Sequence, residues 1–112
     1  MKTLLITLFT IFCLSIPTWD IPVEYKNKEN PTTVTDKSIE NGRAVYLNKK
    51  CNMCHGLNAD KKFDFELQKN STDGELYYMT FVGNGKMPNF EKKITFEVDR
   101  WDLINYLRSV HK

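Results

Sequence analysis

Cysteine and histidine are scarce in this 112-residue chain, at three and two residues. Outside the segment 51–55 the only other histidine is His111, so the four Cys or His ligands of a structural zinc site are not available. Past the first 18 residues just two cysteines remain, Cys51 and Cys54, too close in sequence to close a useful disulfide loop. Charge of one sign is lacking as well. Sixteen basic against 14 acidic residues leave no basic surplus of the kind a nucleic-acid partner demands. The single long apolar run, Leu4 to Ile16, covers 13 residues and falls short of the ~20 a membrane-crossing helix needs. No repeat, low-complexity tract, alternating strand pattern or hairpin turn is visible. These absences leave one small all-α domain with long loops, and no βαβ setting for a thiol-disulfide enzyme.

What is present begins with that apolar run. Lys2 followed by Leu4–Ile16 has the layout of a signal peptide over residues 1–18. Ser15 and Thr18 are the rival cleavage points, and bulky Phe12 before Cys13 argues against lipoprotein processing. The mature chain is then expected to be periplasmic, with no transmembrane span. Residues 19–35, with Pro22 and Pro31, read as an extended N-terminal arm. Its alternating Trp19, Ile21, Val23 and Tyr25 could lay one side on the domain at 36–112. A first helix is expected from Ile39 to Lys50 behind Ser38 as cap, and a second from the Thr72–Glu75 capping box to about Phe81. The last helix, capped at Thr95, carries Val98, Trp101, Ile104, Leu107 and Val110 at three-residue intervals.

Cys51-Asn52-Met53-Cys54-His55 is C-x-x-C-H, the attachment signature of c-type haem. Two thiols three positions apart reach the two vinyl groups along one haem edge, and the following histidine aims its imidazole at the iron. Attachment occurs outside the cytoplasm, in agreement with the signal peptide. For the second axial position the segment 83–90 offers Met87, stiffened by Pro88 and flanked by Gly85. Met/His ligation raises a haem's reduction potential. Met79 reads as core, Met53 is badly placed for the far side, and His111 is the outside candidate.

These motifs resemble a class I monohaem cytochrome c of the small bacterial periplasmic type. The likeness runs through Gly42-x-x-x-Tyr46, Cys51–His55 with Gly56, Asp73 to Tyr77, Gly85-x-Met87-Pro88-x-Phe90 and Trp101 to Leu107. It implies three to four helices around one covalent haem c, with the first and last helices crossing at Gly42. Gly42 and Tyr46 then meet the face that carries Tyr106. It also implies a non-enzymatic electron carrier, serving a redox donor and acceptor. A haem subunit of a larger oxidoreductase is the alternative, and a gas-binding or peroxidatic haem protein a further one. Lys49, Lys50, Lys61, Lys62 and Lys86 could steer an acidic partner. One departure stands out. No proline lies between His55 and Met87, so the carbonyl that orients the imidazole must come from elsewhere, with Ala59 to Phe63 as the candidate stretch. Only 31 residues separate the two ligands, a short loop that implies an exposed propionate edge and a lowered potential.

Overall fold

The computed structural model describes residues 20–83 and 90–111. The signal-peptide segment 1–18 and Met87 therefore lie outside the described residues. Those described are helical, with no strand. Six helices appear in place of the three or four expected: α1 Val23–Lys26, α2 Asp36–Asn48, α3 Asn52–His55, α4 Phe65–Lys69, α5 Asp73–Tyr77 and α6 Glu97–Val110.

The N-terminal arm is not extended throughout. Pro22 starts a helical turn where its missing N–H costs nothing, and its carbonyl accepts from Tyr25 N and Lys26 N at 3.0 and 3.1 Å. That turn lies on the domain. Tyr25 meets Tyr78 edge-on at 5.0 Å and stacks near Tyr77 at 6.1 Å. The Tyr25 and Lys28 backbones approach Gly74 so closely that a Cβ on Gly74 would fall 2.0 Å from the Tyr25 carbonyl oxygen. Lys28 sits over the Tyr77 ring and pairs with Glu97 at 3.5 Å.

Helix α2 begins three residues before the expected start. Thr35, not Ser38, is its cap: Thr35 Oγ1 accepts from Ser38 N at 3.1 Å and Ser38 Oγ accepts from Thr35 N at 3.0 Å. Ser38 is thus the partner in a reciprocal box and is buried, where its hydroxyl also accepts from Asn105 Nδ2. The Thr72–Glu75 box opens α5 as expected. The chain then continues as a wide π turn over Tyr78–Val82, closed by Gly83 N donating to Tyr78 O at 2.8 Å. Gly83 stops it at φ +73. After the loop, Phe90 N and Glu91 N both donate to Phe81 O.

Helix α6 starts after Phe96 and has no side-chain cap; Thr95 lies just outside it. Seven consecutive residues, Trp101 to Leu107, are buried, so its middle is surrounded on all sides. Val98 and Val110 are exposed. A three-residue repeat drifts by about 60° per step on a helix, which turns the two ends of the stripe off the core face. At the crossing with α2, Gly42 lies against Asp102 and the Tyr46 and Tyr106 rings meet at 5.5 Å. Asn41 reinforces the contact by donating to Asp99 and Asp102 at 2.9 and 2.8 Å. This is the packing the resemblance implied.

Candidate functional site

The C-x-x-C-H segment is delivered by the end of α2. Lys49 is the C-cap and Lys50 turns left-handed at φ +63. Lys50 N then donates to Leu47 O at 3.1 Å and Cys51 N to Tyr46 O at 3.0 Å. That pair of bonds is a Schellman motif, which satisfies the orphan carbonyls and reverses the chain. The position favours glycine; a residue with a Cβ there costs about 1–2 kcal/mol. Cys51 follows directly and opens the single turn α3, so both thiols and the imidazole lie on one short helix.

Neither Cys51 nor Cys54 is in a disulfide; Cys51 is half-buried and Cys54 exposed. Burial pushes the Cys51 thiol up to about 11. It is therefore protonated at neutral pH, the reverse of the low-pKa thiolate that disulfide exchange needs. Among the described residues no group of three or more His, Cys, Asp or Glu is arranged to hold a metal ion.

His55 is oriented by its own loop. Its Nδ1 lies 2.9 Å from the Lys61 carbonyl oxygen, while Lys61 N donates to His55 O at 3.0 Å. A carbonyl only accepts, so Nδ1 carries the proton and Nε2 keeps its lone pair for a metal. The orienting carbonyl is thus that of Lys61, within the candidate stretch Ala59 to Phe63. Two left-handed residues shape that loop, Ala59 at φ +55 and Lys62 at φ +61. Tyr46 closes its base: the phenol donates to Gly56 O at 2.5 Å, and burial holds its pKa up to about 12. The donor set suits a covalent haem c: two unpaired thiols at attachment spacing, and an imidazole with Nε2 free.

Other residues fall where the sequence reading left them or contradict it. Met79 packs against the core and Met53 is exposed. Trp101 and Tyr106 are core residues, the indole N–H donating to Glu97 at 3.2 Å. His111, the outside candidate, is buried where α6 ends. It is 9% exposed, and both ring nitrogens are engaged, Nδ1 with Gln68 Oε1 and Nε2 with the Ala59 carbonyl. Neither is free for iron. Sequence reasoning missed Phe63, whose ring stacks on His55 at 4.2 Å and 23°. It also missed Arg100, which donates to Ile94 O, Tyr77 Oη, Glu97 and the Glu91 carbonyl. A lone aromatic in a loop and an arginine in a helix carry no spacing signal, so nothing in the sequence marked either one.

Among the described residues no helix is long and apolar enough to cross a membrane. No curated protein matches the chain at a significant level. The family model described as cytochrome c oxidase, cbb3-type, subunit III matches residues 37–107, well over half the chain, from α2 through the haem motif to Leu107 of α6. With its all-α fold and C-x-x-C-H segment, the chain belongs to that family and is a monohaem cytochrome c, carrying covalent haem c for electron transfer.

Proposed function

We propose that this chain is a periplasmic electron carrier, with haem attached through Cys51 and Cys54 and ligated axially by His55 and Met87. The observation that carries the reading is the 2.9 Å contact between His55 Nδ1 and Lys61 O, which leaves Nε2 available to a metal. When bound, haem iron supplies a one-electron couple. The protein's part is to hold its donors still. The Schellman turn and the Tyr46–Gly56 bond fix both ends of α3, and Lys61 O fixes the tautomer and angle of the imidazole. A ring held in this way changes little between oxidation states, which suits electron transfer without substrate chemistry.

Visible spectra of periplasm-matured protein test the reading. A c-type spectrum with the ferric sulfur-to-iron band, unchanged by carbon monoxide, is expected. Covalent haem without that band, or with rapid carbon monoxide binding, would remove Met87 and favour a gas-binding site.

The family description supports a second reading, a haem subunit of a larger oxidase complex. Gel filtration of native extracts separates the two, since a free carrier elutes at its own small mass. For a free carrier, exposed Lys50, Lys61 and Lys62 close to the motif, with Lys49 and Lys86, steer an acidic partner. Association then slows with added salt; a flat dependence would remove steering.

A further inference from the structure

The last helix ends on a residue that reaches the haem-binding loop. His111 N donates to Leu107 O at 3.0 Å, and the imidazole turns inward between Phe63, at 4.4 Å, and Phe65, at 4.8 Å. Its Nε2 lies 2.6 Å from the Ala59 carbonyl oxygen. Because that oxygen can only accept, Nε2 is the donor. Nδ1 faces the Gln68 side-chain amide at 2.5 Å, a group able to present either oxygen or nitrogen.

The clamped residue is an unusual one. Ala59 is fully buried and left-handed, a conformation that persists in a residue with a Cβ only where its surroundings enforce it. Two residues on, Lys61 O meets His55 Nδ1. Phe63 links the two histidines as well: it stacks on His55 at 4.2 Å and tilts against His111 at 4.4 Å.

We propose that His111 is a positioning residue for the axial imidazole. By holding the Ala59 carbonyl, it fixes the 56–63 loop in the shape that brings Lys61 O to His55 Nδ1. Through it the C-terminal helix sets the basicity of the His55 imidazole. The proposal rests on His55 being the haem ligand.

The test is NMR and potentiometry of the haem-loaded protein. In wild type, the ferrous form should show scalar coupling between His111 Nε2 and the Ala59 carbonyl carbon; its absence overturns the clamp without any variant. His111→Phe keeps an aromatic ring and removes the donor. Its His55 Nδ1–H should exchange roughly tenfold faster, what loss of one ordinary hydrogen bond allows. The reduction potential should move positive, because a less strongly hydrogen-bonded imidazole is a less basic ligand. His111→Gln restores a donor and should bring both readouts back toward wild type. Unchanged exchange and potential in His111→Phe would overturn the proposal, as would a glutamine variant that behaves like the phenylalanine one. Failure of the underlying ligand assignment looks different: wild-type His55 ring protons would then lack the haem ring-current shift.

Discussion

Gly42 lies against Asp102 with no room for a side chain: a Cβ would come 2.0 Å from the Asp102 carbonyl oxygen and 2.7 Å from Tyr106 Cβ. Both obstacles belong to a buried helix and cannot swing aside. Gly42→Ala must therefore push α2 and α6 apart and open the Tyr46–Tyr106 contact. A loss of about 1–3 kcal/mol or more is expected in guanidinium denaturation of the haem-loaded protein. An unchanged midpoint would mean that the helices separate without cost.

Lys50 should respond in the opposite sense. Its φ of +63 is imposed by the turn that delivers Cys51. Lys50→Gly relieves that conformation and should raise stability by about 1 kcal/mol, with haem attachment unaltered. A lowered denaturation midpoint would contradict this.

The arm offers a third test. Gly74→Ala places a Cβ against the Tyr25 and Lys28 backbones and should lift α1 off the domain. Limited trypsin digestion should then cut faster after Lys26 and Lys28 than in wild type. Equal cleavage rates would show that the arm does not depend on this contact.

Alkaline pH tests Tyr46. Its folded pKa of about 12 stands above the ordinary 10.0, so folding favours the protonated phenol. The associated stability is complete below pH 10 and is lost as pH rises through 12. Tyr46→Phe should lose about 1 kcal/mol at neutral pH with the Gly56 bond. Its stability should then fall less steeply between pH 10 and 12. Tyr25 and Tyr77, also raised chiefly by burial, leave a residual slope. Parallel curves for wild type and variant would refute the assignment.

Arg100 ties the chain emerging after Met87 to α6, through the Ile94 and Glu91 carbonyls and Tyr77 Oη. Lysine has no planar fork to reach all three. With Met87 as the proposed ligand, Arg100→Lys should make the ferric sulfur-to-iron band disappear at lower temperature, with covalent haem retained. A band as heat-resistant as in wild type would detach Arg100 from the methionine side.

Local signals in the sequence were enough for much of this molecule. The five residues from Cys51 to His55 announce their chemistry by spacing, and Thr72–Glu75 announces a helix start, because both depend on neighbours within one turn. The crossing at Gly42 was legible through resemblance, and so was the need for a carbonyl near His55. Where recognition needed distant partners, the sequence was silent or misleading. Pro22 looked like a helix breaker and proved a helix start once the turn could lie on Gly74. Ser38 looked like a cap, but the Thr35 box and the reach of Asn105 made it a buried partner. His111 read only as an outside candidate for the iron. Its burial and its hold on Ala59 exist only because α6 ends beside the haem loop, 52 residues away in sequence. Spacing along a chain determines which donors can act together within a turn of helix; which carbonyl aims a ring, and which ring holds that carbonyl's loop, is decided only when distant segments pack.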